Sequence, residues 1–174
     1  PPGGPHWCVS VIQRRAPSGS PQVRQRQNPT AAGGTPSAPG TATTNGNGRV
    51  SDFTLRQLQS LDAGAWYSPA FQRTSIPTLE ILLSARQAKH SSGNPKKALF
   101  ELKGYWSRDE VRIVTDLISA YGIGNLVIMS SFDTSTIDHL QQVDPTLPVA
   151  IIMTTLPQDP VAFARLYGAV ALIT

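Results

Sequence analysis

Two charged side chains, Glu101 and Lys103, lie at the end of the short apolar segment Ala98-Leu99-Phe100-Glu101-Leu102-Lys103. In a β-strand, residues two positions apart point to the same face, so this carboxylate and this ammonium group would lie side by side. A charge on the inner face of a strand costs free energy unless it has partners or a role. The pair is therefore a candidate functional site, and the alternative is a strand end whose two charges meet water.

The elements that would position this pair form a regular series from residue 97 onward. Apolar runs predict strands at 97–103, 126–129, 148–153 and 169–173. Helices are predicted between them, beginning at a Ser107–Glu110 capping box, at Thr134, and at Asp159 followed by Pro160. The middle helix is predicted to end at Val143 and the last one at Gly168.

Repeated strand-helix units with continuously apolar strands favour an α/β fold with about four parallel strands covered by helices. Four such strands could form a small doubly wound sheet, or they could be half of an eight-fold barrel. Upstream, Thr54 and Gln57 fit a capping box at a short helix. Residues 65–71 read as an aromatic loop, and Thr78 as the cap of a helix running towards His90.

Length, cysteine content and charge distribution narrow the classes of protein. The 174 residues suffice for one domain, and the single Cys8 excludes a disulfide framework and a cysteine-based zinc site. No apolar run reaches the roughly 18 residues that span a bilayer. The start also lacks the apolar core of a secretory signal, which predicts a cytoplasmic location. Residues 1–50 hold five arginines and no acid, whereas 51–174 hold ten Lys or Arg against eleven acids, a net of −1.

The first 42 residues differ in composition from the rest of the chain. They are rich in Pro, Gly, Ser, Thr, Gln and Arg, which predicts a low-complexity, disordered segment ahead of a folded unit at 43–174. Within that unit, 43–96 reads as an insertion and a helix, and 97–174 as the strand-helix repeats. The arginines of the first segment could touch nucleic acid, but no aromatic residues alternate with them for base stacking, so nucleic-acid binding is disfavoured.

Four stretches together resemble the glycerophosphodiester phosphodiesterase family. The first is 43–54, which resembles the segment after that family's second catalytic histidine. The second comprises 61–67 and 76–80, which resemble the insertion before its third strand. The third is Phe100-Glu101-Leu102-Lys103, which resembles the strand with a metal-binding glutamate and a lysine. The fourth is Ser130-Ser131-Phe132, which resembles the end of the next strand.

This resemblance implies a TIM-barrel fold, of which the chain would be a part, and hydrolysis of glycerophosphodiesters to glycerol 3-phosphate and an alcohol with Mg²⁺ or Ca²⁺ as cofactor. It implies that Glu101 is a metal ligand and that Lys103 binds the substrate phosphate. Phe132 would form a substrate-side wall, with a core aromatic as the alternative. Trp66 would pack the insertion as a structural anchor. The expected partner is a small-molecule substrate, without nucleic acid.

Other motifs of the family are absent from this sequence. There is no His-Arg-Gly, no Glu-x-Asp and no His-Asp pair ahead of Thr43, so no catalytic residue is assigned. His90 and His139 do not fit those roles and are expected to be solvated. We therefore expect the chain to be inactive alone. A non-catalytic α/β module that binds a phosphate ligand or a protein partner is the alternative function. The abrupt change near Ala42 has two explanations, a frame-shifted front portion or replacement by a disordered arm.

Overall fold

A six-stranded sheet forms the centre of the molecule in a computed structural model that describes residues 8–13, 22–25, 44–46, 50, 53–91 and 97–174. The strands are β1 (Cys8–Gln13), β2 (Gln22–Gln25), β3 (Ala98–Leu102), β4 (Val127–Ser131), β5 (Val149–Ile152) and β6 (Ala169–Ile173). Their order in the sheet is β2-β1-β3-β4-β5-β6, parallel throughout except that β2 runs antiparallel to β1. The helices are α1 (Leu55–Gln59), α2 (Leu79–Ser91), α3 (Arg108–Ala120), α4 (Thr134–Val143) and α5 (Pro160–Leu166).

The helix starts follow from local side-chain chemistry, as the sequence predicts. Capping boxes begin α1 at Thr54 and α3 at Ser107, where the cap hydroxyl and the side chain three residues later each accept a backbone N–H. An aspartate caps each of the last two helices, Asp133 for α4 and Asp159 for α5. Each cap satisfies backbone donors that the first turn leaves without partners.

One face of the sheet carries the hydrophobic core. Phe100 and Leu102 of β3 are buried in one cluster with residues of α2, α3 and α4. The alternating residues Leu99, Glu101 and Ile128 are partly exposed and lie outside that cluster; we call their side of the sheet the open face. Neighbouring parallel strands follow in chain order without reversal, and the helices of the core lie on one side. This is the arrangement of a barrel segment, whereas a doubly wound sheet reverses its order and has helices on both faces.

The predicted partial barrel of four parallel strands with alternating helices is therefore confirmed, and the structure adds two strands that composition did not indicate. Cys8–Gln13 and Gln22–Gln25 lie inside the segment predicted to be disordered, yet β1 pairs with β3 from Cys8 opposite Ala98 to Ile12 opposite Leu102. Composition did not indicate strands for these ten residues, because pairing with a distant strand supplies sheet hydrogen bonds that local composition does not reveal. The other residues before Thr43 lie outside the described ranges.

No helix in the described part of the chain is long and apolar enough to cross a membrane. The longest ones, α2 and α3, have 13 residues each, whereas a spanning helix needs about 20 apolar residues.

Candidate functional site

Glu101 is the acidic residue of the open face of β3. It lies opposite Ser130 of β4 on one side and opposite Val11 of β1 on the other. Its side chain is partly exposed, while Phe100 and Leu102 beside it are buried on the opposite face. The alternation predicted from the sequence therefore places the carboxylate away from the core, near the carboxyl end of a parallel strand. Active sites of barrel enzymes are built at that end of the strands.

Lys103 lies just past the end of β3, with an exposed side chain. Its backbone N–H donates to the carbonyl oxygen of Ile12 at 3.2 Å, which fixes the residue at the β1–β3 junction. Within the described residues, neither the Lys103 ammonium nor the Glu101 carboxylate has an ion-pair partner. An exposed, unpaired ammonium group at this edge remains available to an anionic ligand.

The loop after Lys103 is held by hydrogen bonds to α4. The hydroxyl of buried Thr136 donates to the carbonyl oxygen of Gly104 at 3.1 Å and accepts the backbone N–H of Trp106 at 2.9 Å. The indole N–H of Trp106 donates back to the carbonyl oxygen of Lys103 at 3.2 Å. Nδ1 of His139 lies 2.7 Å from the carbonyl oxygen of Trp106, which accepts its hydrogen. These contacts fix the backbone that carries Lys103.

Thr136 and Trp106 are positioning residues that the sequence reasoning missed. Trp106 directly precedes the cap Ser107, and Val111 stands at the fourth position of α3; both are fully buried in the core. This spacing is that of a hydrophobic staple, a signal that could have identified Trp106 from the sequence. Thr136 has no such signal, because its partners lie 30 and 32 residues away.

Phe132 follows β4 as Lys103 follows β3. Glu101 of β3 pairs with Ser130 of β4. Two residues further along, Lys103 and Phe132 therefore take corresponding places beyond these neighbouring strands. Phe132 is 54% exposed, which excludes the alternative of a core aromatic in this structure. The preceding Ser131 is buried and donates to the carbonyl oxygen of Leu102 at 2.7 Å, joining the two strand ends. The three predicted residues Glu101, Lys103 and Phe132 thus share one edge of the sheet, and their roles stay predictions.

Neither downstream histidine is freely solvated, contrary to expectation. His139 is partly buried, donates to Trp106 and packs edge-on against Tyr105, with ring centres 5.7 Å apart. His90, near the end of α2, is partly buried, and its Nδ1 is fully buried without a hydrogen-bond partner. Tertiary packing of α2 and α4 partly buries both rings, which spacing within the sequence does not show.

The aromatic loop before α2 is organised by Asp62. Its Oδ1 accepts the backbone N–H groups of Gly64 at 2.8 Å and Ala65 at 3.0 Å, and its Oδ2 accepts that of Arg73 at 2.8 Å. These three hydrogen bonds hold the pKa of Asp62 below its ordinary value of 3.8, and the bond from the N–H of Arg73 has the largest effect. Asn45 joins the network by accepting the N–H of Asp62 at 2.8 Å. The loop conformation therefore depends on an ionised carboxylate.

Trp66, which the sequence predicts to be a structural anchor of the insertion, lies on this loop. Its indole N–H donates to the carbonyl oxygen of Ala63 at 3.0 Å, but the side chain is 52% exposed. Trp106 is the buried tryptophan among the described residues.

The candidate site has only part of what a divalent cation requires. Among the described residues, no group of three or more His, Cys, Asp or Glu side chains is placed to hold a metal ion. Calcium takes 6–8 oxygen ligands and magnesium demands near-octahedral geometry. Glu101 supplies one carboxylate, and its neighbouring strand β1 has none in its sequence. The described residues therefore do not by themselves form a complete metal site.

Comparison with known proteins gives one consistent family. Residues 41–171 match the glycerophosphoryl diester phosphodiesterase family. A Bacillus subtilis relative, named as the putative glycerophosphodiester phosphodiesterase YhdW, is 40% identical over 111 residues, or 63% of this chain and 43% of its own length. A glycerophosphodiester phosphodiesterase of Caldanaerobacter subterraneus is 31% identical over 114 residues, which are 63% of this chain and 44% of its length. The chain thus spans less than half of these relatives.

Solved structures agree on the fold. The glycerophosphodiester phosphodiesterase of Agrobacterium tumefaciens superposes with a TM-score of 0.72 at 19% identity, covering 95% of this chain and 62% of that protein. An Oleispira antarctica phosphodiesterase in complex with the product sn-glycerol-3-phosphate superposes with a TM-score of 0.67 at 18% identity and the same coverage. At these identities the similarity is one of fold.

Proposed function

We propose that this chain, which belongs to the glycerophosphoryl diester phosphodiesterase family, forms the phosphate-binding part of a hydrolase of glycerophosphodiesters. The reaction would be glycerophosphodiester plus water to glycerol 3-phosphate plus alcohol. The oxygen of water bonds to phosphorus, the bond from phosphorus to the alcohol oxygen breaks, and the alcohol leaves with a proton. The observation that supports the proposal best is the Glu101–Lys103 pair at the carboxyl end of β3, inside the family-matched region.

Lys103 is proposed to bind the phosphate of the substrate. Its ammonium group is exposed and unpaired, and its backbone is fixed through Ile12 and Trp106. A fixed backbone reduces the conformational entropy that the side chain loses on binding. Phe132, exposed at the end of the neighbouring strand, is proposed to pack against the carbon atoms of the glycerol or alcohol group.

Glu101 is proposed as one ligand position for Mg²⁺ or Ca²⁺, the ions that family resemblance implies. A divalent ion at a phosphodiester supplies Lewis-acid stabilisation of the developing charge. One carboxylate does not hold such an ion tightly. Glu101 and Lys103 carry opposite charges, so together they could bind a cation and a phosphate at one edge of the sheet without a net accumulation of charge.

We expect this chain to bind substrate or product but not to catalyse hydrolysis alone. Proton transfer to the departing oxygen needs a general acid within hydrogen-bond reach. Among the described histidines, the Nδ1 of His139 is engaged by Trp106 and that of His90 is buried. The sequence also has no His-Arg-Gly motif. A non-catalytic module that binds a phosphate ligand is the second candidate, favoured by the unpaired Lys103 and by the lack, among the described residues, of a group of three or more side chains that could hold a metal ion.

The test is a titration of the purified chain with sn-glycerol 3-phosphate and with glycerophosphocholine. Binding is measured by isothermal titration calorimetry and by heteronuclear NMR. We expect Lys103→Met to weaken binding about tenfold, equivalent to about 1.4 kcal/mol. Arg112→Met is the matched control, because Arg112 is an exposed cation on α3 that pairs with Asp109 at 3.8 Å. It should bind like the unaltered chain, and equal weakening in both variants would contradict a phosphate contact at Lys103.

Hydrolysis is measured in parallel as release of glycerol 3-phosphate, with Mg²⁺, with Ca²⁺ and with EDTA. Binding without turnover supports the expectation for the isolated chain. Turnover that EDTA and Glu101→Gln both abolish would contradict the expected inactivity and support the metal role of Glu101. Absence of any binding would overturn the proposal.

A further inference from the structure

Strand β3 keeps its pairing with β1 further along the chain than its pairing with β4. The last pair of the β3–β4 ladder is Glu101 with Ser130. On the other side, β1 pairs with β3 as far as Leu102, and Ile12 then accepts the backbone N–H of Lys103 at 3.2 Å. At the edge of the sheet that carries the candidate site, the ends of β3 and β4 are therefore joined by other contacts than the ladder.

The hydroxyl group of Ser131 makes that junction just beyond the last ladder pair. It donates to the carbonyl oxygen of Leu102 at 2.7 Å, and its oxygen accepts the backbone N–H of Asp133 at 3.1 Å. Asp133 is the N-cap of α4, so one side-chain oxygen joins the end of β3 to the start of this helix. Because Ser131 is fully buried, water does not compete for either hydrogen bond.

A second hydroxyl group holds the carbonyl on the other side of Lys103. Thr136 donates through its hydroxyl to the carbonyl oxygen of Gly104 at 3.1 Å, and its backbone N–H donates to Oδ1 of Asp133 at 2.9 Å. Asp133 thus binds both hydroxyl-bearing residues, Ser131 through its own N–H and Thr136 through its carboxylate. The carbonyl groups directly before and after Lys103 are therefore held by one hydrogen-bonded group at the junction of β4 and α4.

We infer that Ser131 is a positioning residue that sets the spacing between Lys103 and Phe132. Phe132 directly follows Ser131 along the chain. On the neighbouring strand, Ser131 holds the carbonyl oxygen of Leu102, the residue directly before Lys103. This inference rests on the proposed function, in which Lys103 binds the phosphate of the ligand and Phe132 packs against its carbon atoms. A single buried hydroxyl then joins the two contacts.

The consequence of a fixed spacing is a preference among phosphate ligands. A ligand with both a phosphate and carbon atoms gains both contacts only when the two side chains are held at the matching distance. Inorganic phosphate uses Lys103 alone and is nearly indifferent to that distance. The ratio of the affinity for sn-glycerol 3-phosphate to that for inorganic phosphate is therefore the property that Ser131 controls. A hydroxyl that only stabilised the fold would leave this ratio unaltered in the folded chain.

The experiment measures both affinities by isothermal titration calorimetry on the purified full chain and on the variants Ser131→Ala and Ser131→Cys, under reducing conditions. Cysteine has nearly the volume of serine, but its thiol is a weak hydrogen-bond donor. We expect each variant to lose about fivefold in affinity for sn-glycerol 3-phosphate, the equivalent of one neutral hydrogen bond, and less than about twofold for inorganic phosphate. The nearly isosteric cysteine variant keeps the test valid where the alanine variant folds poorly.

Two control variants on α3 separate positioning from stability. Thr115→Val removes a buried hydroxyl that donates to the carbonyl oxygen of Arg112, away from the site. Val114→Ala removes apolar contacts of a fully buried core residue and so lowers the thermal midpoint. Both should keep the preference for sn-glycerol 3-phosphate. Amide hydrogen exchange adds a readout without ligand, because the N–H of Asp133 should exchange faster in the two serine variants than in either control.

The possible outcomes distinguish this inference from the proposed function. Folded Ser131 variants that keep the full preference would overturn the inference and leave the proposed function intact. An equal loss of preference in Val114→Ala would also overturn it, because reduced stability alone would then explain the effect. A chain that binds neither sn-glycerol 3-phosphate nor inorganic phosphate would overturn the proposed function, and the inference with it.

Discussion

The substitution Thr136→Val tests whether the contact between α4 and the loop after β3 stabilises the site. Valine keeps the branched shape of threonine and removes the hydroxyl. That hydroxyl is fully buried, accepts the N–H of Trp106 at 2.9 Å and donates to the carbonyl oxygen of Gly104 at 3.1 Å. The variant would leave a buried backbone donor and a backbone carbonyl without this partner.

The expected cost follows from these two contacts. A buried donor left unsatisfied costs about 1–3 kcal/mol, and loss of the second hydrogen bond adds about 1 kcal/mol. We therefore expect the free energy of unfolding to fall by about 2–4 kcal/mol. For a chain of this size, that lowers the thermal midpoint by roughly 4–16 °C. The loop would also loosen around Lys103, so affinity for glycerol 3-phosphate should fall as well.

Thr115→Val is the control for this prediction. Thr115 is buried on α3, and its hydroxyl donates only to the carbonyl oxygen of Arg112, three residues earlier. Because that carbonyl belongs to the helix ladder, its loss should cost less than about 1 kcal/mol. Chemical denaturation monitored by Trp fluorescence and circular dichroism gives the free energy of unfolding of both variants. If Thr136→Val destabilises no more than Thr115→Val, the hydroxyl does not hold the loop and the reasoning is refuted.

Two further predictions concern the loop before α2. Asp62→Asn should lower the thermal midpoint at neutral pH. Because the folded chain lowers the pKa of Asp62 below its ordinary value of 3.8, the ionised carboxylate stabilises the fold at pH values above 3.8. The difference in thermal midpoint between this variant and the unaltered chain should therefore shrink as the pH falls from 3.8 through the pKa of the folded state. A difference independent of pH across that range would contradict this. Gly64→Ala should destabilise by about 1–3 kcal/mol, because a Cβ there would overlap the carbonyl oxygen of Phe71. Gly124→Ala, whose Cβ would meet only Leu147 at 3.4 Å, should stay near neutral in the same denaturation experiment.

Local sequence determined most of the secondary structure. The predicted middle helix and last strand match α4 at Thr134–Val143 and β6 at Ala169–Ile173. The capping boxes at Thr54 and Ser107 form as expected. These features depend on residues within four positions of each other, so the sequence shows them directly. The sequence also indicated the family and the positions of Glu101 on β3 and of Lys103 directly after it, because short motifs occur in the family's order.

Tertiary structure alone decided what surrounds the candidate site. Periodicity allowed a doubly wound sheet or a barrel, and only the order of strands and the single helix-covered face separated them. The place of β1 beside β3, the Thr136 contact with Trp106 and the capture of His139 all join residues about 30 or more positions apart. Such contacts arise from how helices pack on a sheet, and no local pattern encodes them. The sequence thus determined which residues could act, and packing determined which of them share one edge and how firmly each is held.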